Sequence, residues 1–75
     1  MSEIQIQTVL STREAQVLRL SSEGKSAKEI ARVLALSVNT VKVHLKVMRY
    51  KIGAKNVAHA VAIAARSGLL GEVAQ

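Results

Sequence analysis

Four residues near the middle of the chain recur at helical spacing and combine amide, ammonium and aliphatic side chains. They are Asn39, Lys42, Val43 and Lys46, at positions i, i+3, i+4 and i+7, so a helix through them presents all four on one face. A lysine can donate to guanine O6 and N7, an asparagine can bind adenine through two hydrogen bonds, and a valine methyl can contact the thymine methyl group. The set therefore predicts contacts with base edges in a duplex. An ordinary solvated helix face is the alternative, and for Asn39 contact with phosphate or water is an equal one.

A second set of residues is placed to hold phosphate groups rather than to read bases. Ser26 and Ser37 are predicted N-caps, and the N–H groups at a helix N-terminus, with the positive end of the helix dipole, attract anions. Contacts of this kind fix the register of a protein on a duplex but carry no sequence information. The predicted phosphate contacts are Ser26, Ala27, Lys28, Ser37, Val38, Thr40, Arg49 and Lys51. For Lys51, a solvated charge is the alternative.

The charge distribution favours an anionic partner. The 75 residues contain 11 Lys and Arg against 5 Asp and Glu, a formal net charge of +6. No acid occurs from Ile30 through Gly71, a stretch that holds seven of the Lys and Arg residues. Without acids among them, the charges of the third and fourth predicted helices cannot form ion pairs within their own helices, and they repel one another unless a polyanion lies opposite.

Composition excludes several other classes of site. Tyr50 is the only aromatic residue, which disfavours single-stranded nucleic acid binding, because that mode stacks bases on aromatic side chains. There is no Cys, and His44 and His59 stand on different predicted helices without nearby acids, so no metal, cofactor or catalytic constellation is expected. No apolar run approaches the roughly 20 residues of a membrane span. The chain is therefore predicted to be a cytoplasmic protein and not an enzyme.

Local signals place these residues on helices. Ser11 with Glu14 and Ser26 with Glu29 each form a capping-box pattern, and Gly24, Gly53 and Gly68 are predicted helix ends. The apolar stripe of the third helix is Val41, Leu45, Met48 and Ile52. The prediction is an all-α four-helix bundle with helices at about 12–23, 26–34, 38–52 and 57–67, the second and third forming a helix-turn-helix. Residues 1–9 are predicted to be a flexible arm or linker remnant, and residues 10–75 the domain.

The fourth predicted helix is apolar on nearly every side. Val57, Ala60, Val61 and Ala64 form its core stripe, which leaves Ala58, Ala62, Ile63 and Ala65 to be covered by something else. A second copy of the chain is the favoured cover, and the segment 1–9 is the alternative. Such a homodimer would be weak, since small side chains bury little area, and its two-fold axis would call for an inverted-repeat DNA site.

Five segments, in order, resemble the LuxR/FixJ-type helix-turn-helix family, also called GerE-like. They are 10–18 (LSTREAQVL), 24–31 (GKSAKEIA), 36–44 (LSVNTVKVH), 51–53 (KIG) and 67–70 (SGLL). The resemblance implies a DNA-binding domain of bacterial transcription regulators, whose third helix enters the major groove with Lys42, Val43 and Lys46, and whose fourth helix often pairs with a second subunit. Residues 40–46 look like the nitrate-response-regulator branch, and 54–64 like the acyl-homoserine-lactone quorum-sensing branch. RNA polymerase is a further partner that a regulator of this kind implies.

Two other function classes compete with duplex binding. One is a helical protein-interaction or dimerisation module with incidental charge, and the other is a basic peptide that lies on membrane surfaces. The capping boxes and several apolar stripes describe a packed bundle, which disfavours the membrane peptide. The acid-free half with the outward residues Lys42, Val43 and Lys46 favours double-stranded DNA over the interaction module.

Overall fold

The chain forms four α-helices in the region that the structure, a computed structural model, describes, residues 10–68. The helices are α1 (Thr12–Ser22), α2 (Ala27–Leu34), α3 (Val38–Ile52) and α4 (Val57–Ser67), and no strand occurs among the described residues. The predicted all-α fold is confirmed, and α3 and α4 have the predicted bounds. α1 ends one residue earlier than predicted, and α2 begins at Ala27, one residue later than the predicted range, after its predicted N-cap Ser26. The predicted arm at residues 1–9 lies outside the described residues.

Side-chain caps begin every helix. Ser11 Oγ accepts the N–H of Glu14 at 3.0 Å, and Glu14 Oε1 accepts the N–H of Ser11 at 2.9 Å, which completes the first predicted capping box. The same reciprocal pair joins Ser26 and Glu29 at 3.2 and 2.8 Å. A cap of this kind stabilises a helix by about 1 kcal/mol, so local sequence accounts for where α1 and α2 begin.

The turn between α2 and α3 depends on a residue in a left-handed conformation. Ala35 has φ 57° and ψ 43°, and it is the only described non-glycine residue with a positive φ. This conformation lets the N–H of Leu36 donate to the carbonyl of Ala31 at 2.9 Å and close the end of α2. Ser37 then caps α3 directly, so the turn is short and fixes α3 against α2.

Two separate apolar clusters hold α3 in place. One contains Val17, Ile30, Ala31 and Val41, between α1, α2 and α3. The other contains Leu10, Leu18, Met48, Ala60 and Ala64, between α1, α3 and α4. Leu45 packs against both, whereas α2 and α4 make no contact with each other. The predicted stripe of α3 is thus its buried face, with Val41 and Met48 fully buried, and the helix keeps one face open to solvent.

Candidate nucleic-acid interface

The four predicted base-reading residues lie together on the exposed face of α3. Asn39, Lys42, Val43 and Lys46, here called the reading face, are all exposed, and Val43 is 53% exposed despite its aliphatic side chain. Val41 and Met48 on the opposite side of the helix are fully buried. Because the clusters behind α3 hold it from two sides, the reading face is presented by a supported helix rather than by a loop.

The N-terminus of α3 is suited to an anion. Ser37 Oγ accepts the N–H of Thr40 at 3.0 Å and donates to Thr40 Oγ1 at 2.8 Å. The first turn of α3 carries no acidic residue, whereas α1 and α2 carry Glu14 and Glu29 there. The positive end of the dipole of α3 is therefore not offset by a carboxylate in its own first turn. Ser37, exposed, and Val38 and Thr40, half-buried, remain predicted phosphate contacts at this end.

The N-terminus of α2 is less favourable to an anion than the sequence suggested. The N–H of Ser26 already donates to Glu29 Oε1. That hydrogen bond is the largest cause of a pKa of Glu29 below its usual range, so the carboxylate is charged at neutral pH and lies where a phosphate would approach. Ala27 is half-buried, and the exposed Lys28 is the residue of this group best placed to meet an anion.

Lys51 has an ion-pair partner in the fold. Its Nζ lies 2.8 Å from Glu14 Oε1, joining the end of α3 to the start of α1, and the Glu14 side chain is only 8% exposed. The predicted phosphate contact of Lys51 is weakened by this pair, because its charge already neutralises a nearly buried carboxylate. The sequence indicated the capping role of Glu14 but not this partner 37 residues away.

The pKa of Glu14 reflects the same contacts. Burial raises the pKa of this carboxyl group. The hydrogen bond from Lys51, the hydrogen bond from the backbone of Ser11 and the charge of Lys51 together lower the pKa by more than burial raises it. The net pKa lies below the usual range for glutamate. Glu14 is therefore ionised at neutral pH, and its charge stabilises the fold.

An open groove lies beside the C-terminal half of α3. It has a volume of about 410 Å³ and is lined by Lys46, Val47, Arg49, Tyr50, Ala54 and Lys55. Arg49 Nη1 donates to the carbonyl oxygen of Lys55 at 3.4 Å, which ties the wall of α3 to the loop before α4. We call this the α3–α4 groove. Sequence reasoning placed Lys46 and Arg49 at the interface but missed Val47 and Tyr50, although these two continue the helical spacing from Val43 and Lys46.

Comparison with known proteins identifies the family. Residues 8–64 match the bacterial regulatory proteins of the luxR family. The chain belongs to this family. The resemblance predicted from the sequence is thus confirmed.

Several regulators are similar to this luxR-family chain. The regulatory protein SdiA of Escherichia coli (strain K12) is 45% identical over 60 residues, which cover 80% of this chain and 25% of SdiA. The HTH-type quorum-sensing regulator RhlR of Pseudomonas aeruginosa is 43% identical over 61 residues, covering 81% and 25%. The crystal structure of Escherichia coli SdiA superposes with a TM-score of 0.78 at 44% identity and covers 84% of this chain and 26% of that one. The chain spans about a quarter of the length of these relatives, which are named as regulators rather than as enzymes.

The burial of residues on α4 of this luxR-family fold agrees with the predicted division of the helix into a core stripe and an uncovered face. Ala60 and Ala64 are fully buried against α1 and α3. The predicted dimer residues Ala58, Ala62 and Ala65 are exposed, and Ile63 is half-buried. A small-residue face is thus left open on α4, and its pairing with a second copy stays a prediction.

The two histidines have no partners for metal chemistry. His59 Nδ1 accepts the N–H of Lys55 at 3.0 Å, and the N–H of His59 donates to Asn56 Oδ1 at 2.8 Å, so both groups help to begin α4. His44 is half-buried on α3. Between residues 10 and 68 no three His, Cys, Asp or Glu side chains come together in a way that could hold a metal ion. In the same region no helix is long and apolar enough to cross a membrane.

Proposed function

We propose that this luxR-family chain binds double-stranded DNA in a sequence-specific manner, as a bacterial transcription regulator or its effector domain. The observation that carries the proposal is the reading face, where Lys42, Val43 and Lys46 are exposed on a helix packed from two sides. The N-terminal half of α3 enters the major groove, and its two lysines donate to guanine O6 and N7. Val43 contacts a thymine methyl group, and Asn39 is placed to bind adenine.

Phosphate contacts set the register of α3 in the groove. At its N-terminus they come from the N–H groups of Ser37 and Val38 and the hydroxyl group of Thr40, supported by the absence of an acid in the first turn. Lys28 and Arg49 supply charges on either side. Ser26 and Ala27 at the start of α2 contribute less, because Glu29 competes with an incoming anion there.

Two copies of the chain bind one operator. The exposed Ala58, Ala62 and Ala65, with Ile63 beside them, form a self-complementary surface on α4. A two-fold axis through this surface places two recognition helices one DNA turn apart, about 34 Å, over an inverted repeat. Small side chains bury little area, so the dimer is weak without DNA.

The wider role follows from the class of protein. BjaR1 of Bradyrhizobium diazoefficiens, 41% identical over 63 residues, is named a transcriptional activator, and SdiA a regulatory protein. By that likeness this chain acts at the chromosome, in the bacterial cytoplasm and nucleoid, with RNA polymerase as a further partner.

Selection of duplexes from a random pool, followed by titration over a range of salt, tests the function. Binding should weaken steeply, with log K falling by about 0.9 per neutralised phosphate for each decade of salt. Affinity for the selected duplex that does not change from low to moderate salt would overturn the proposal.

A matched pair of variants separates base reading from phosphate contact. Lys46→Ala should relax the preference at one base position, because its ammonium group donates to a base edge. Lys28→Ala removes the same charge from the start of α2 and should weaken all duplexes alike. Repeating the selection with both variants gives the measurement, and identical specificity profiles would contradict the assignment.

A further inference from the structure

The α3–α4 groove combines an apolar floor with a basic rim. Val47, Tyr50 and Ala54 supply the apolar side chains, and Lys46, Arg49 and Lys55 the charges. Tyr50 is 88% exposed and Val47 37% exposed, so two large apolar side chains are left open beside three cations. None of the residues that line the groove is acidic, so no lining carboxylate balances this rim.

The groove continues the proposed DNA interface, because Lys46 belongs to both. The reading face spans eight residues from Asn39 to Lys46, a rise of about 10 Å along the helix axis at about 1.5 Å per residue. Tyr50 lies four residues farther along α3, about 6 Å beyond Lys46. When the N-terminal half of α3 contacts bases, Tyr50 and the α3–α4 groove lie beyond the contacted bases, toward one of the two sugar-phosphate backbones that border the major groove.

The chemistry of the groove matches that backbone. Phosphate groups accept charge-assisted hydrogen bonds from ammonium and guanidinium groups such as those of Lys55 and Arg49. The faces of a deoxyribose ring are rich in C–H groups, which pack favourably against an aromatic ring and a valine methyl. The hydrogen bond of Arg49 to the carbonyl oxygen of Lys55 holds the two sides of the rim together.

We propose that the α3–α4 groove binds the deoxyribose-phosphate backbone of a strand bordering the major groove, independently of sequence. Tyr50 and Val47 pack against the sugar, and Arg49 and Lys55 pair with the flanking phosphates. This inference rests on the proposed function, since it assumes that α3 enters a duplex. It assigns to the exposed aromatic ring a role in affinity rather than in base choice.

Equilibrium titration of the selected duplex and of an unrelated duplex tests the groove. Tyr50→Ala should weaken both by about fivefold to tenfold, the effect of removing about 50 Å² of apolar contact, with an unchanged salt slope. Tyr50→Phe keeps the ring and should bind within about twofold of the wild type. Lys55→Gln should lower the salt slope by about 0.9, because one phosphate contact is lost.

A valine pair supplies the matched control. Val47→Ala, inside the groove, should weaken both duplexes, whereas Val33→Ala, at a 55% exposed position on α2 outside the groove, should not. Circular dichroism of Tyr50→Ala should match the wild type, because the side chain is exposed.

The outcomes distinguish this inference from the proposed function. Wild-type protein that binds neither duplex would defeat the function itself. Wild-type protein that binds both, with a Tyr50→Ala variant of equal affinity, overturns the groove assignment and leaves the function standing. A changed base preference in Tyr50→Ala would also overturn it, because the contact would then involve a base.

Discussion

One carboxylate oxygen of Glu14 accepts two hydrogen bonds that stabilise the fold. Its Oε1 accepts the N–H of Ser11 at 2.9 Å to complete the capping box of α1, and the same oxygen accepts a hydrogen bond from Lys51 Nζ at 2.8 Å. The first contact is local and the second spans 37 residues. Glu14 therefore joins the first turn of α1 to the last turn of α3. Its negative charge helps to hold α3 in position.

Replacement of Glu14 should make the fold less stable in a pH-dependent way. Glu14→Gln keeps an acceptor for Ser11 but loses the charge, and we expect a loss of about 1–2 kcal/mol in the free energy of unfolding at neutral pH. The folded pKa of Glu14 is lowered, so its stabilisation is present above the usual glutamate pKa of about 4.3 and is lost as pH falls through the folded pKa. Urea unfolding of both proteins from neutral to acidic pH measures the difference, which should shrink on acidification.

Glu23→Gln is the control for this effect. Glu23 pairs with Lys25 at 3.4 Å on the surface, with side chains 49% and 35% exposed, and such pairs contribute little. We expect almost no change in unfolding free energy at either pH. A Glu14→Gln deficit of the same size at both ends of the pH range would contradict the assigned role of the charge.

At the scale of elements, the helix-turn-helix depends on one strained residue. Ala35 adopts φ 57° and ψ 43° at the end of α2, a conformation that costs an L-amino acid about 1 kcal/mol and glycine almost nothing. Gly53 has a similar conformation, φ 71°, at the end of α3, and a Cβ built there meets no atom within 4 Å. Both positions have a left-handed backbone conformation, which alanine adopts at position 35 and glycine at position 53.

Reciprocal substitutions measure this strain. Ala35→Gly should stabilise the domain by about 0.5–1 kcal/mol, and Gly53→Ala should destabilise it by about 1 kcal/mol through backbone strain alone. Thermal or urea unfolding gives both values. An Ala35→Gly variant less stable than the wild type would show that the methyl group of Ala35 contributes more than its strain costs.

The four helices could be predicted from the sequence, whereas the geometry of the turns and contacts that join them could not. Ser11, Ser26 and Ser37 mark helix starts because caps act within three residues, and that signal is complete in the local sequence. Ala35 gave no sign of its left-handed conformation, since alanine favours helix interiors. The Glu14–Lys51 pair arises only when segments 37 residues apart meet, and no spacing along the chain encodes it. The α3–α4 groove needs the turn after α3, which brings Ala54 and Lys55 back beside the helix.

For the molecule as a whole, the two proposed functional faces lie on different helices. The reading face occupies α3, and the small-residue face of Ala58, Ala62 and Ala65 lies exposed on α4. α3 and α4 contact each other through the cluster around Met48 and Ala60. In the proposed dimer, pairing through α4 would therefore set the distance between two reading faces, and operator spacing would be a property of the dimer rather than of one chain.

A charge on α4 should separate the two kinds of binding. Ala62→Glu places a carboxylate on the proposed dimer surface, where two copies bring like charges together. We expect about a tenfold loss of affinity for a probe with two half-sites and little change for a single half-site. Titration of both probes makes the comparison.

The charge-matched control is Gln16→Glu on the exposed side of α1. It alters the net charge equally without touching α4, so both probes should be affected alike. Equal losses on the two probes for Ala62→Glu would argue against pairing through α4.

The two apolar clusters have a consequence for how sequence changes combine. α2 and α4 make no contact, and each helix packs on its own cluster, with Leu45 the residue that packs against both. Free-energy effects of substitutions add when the sites share no partners. Substitutions in the cluster beside α2 should therefore change the free energy of unfolding independently of substitutions in the cluster beside α4, apart from those that reach Leu45. Under the proposed function, base contact by α3 and pairing by α4 would then be able to change separately.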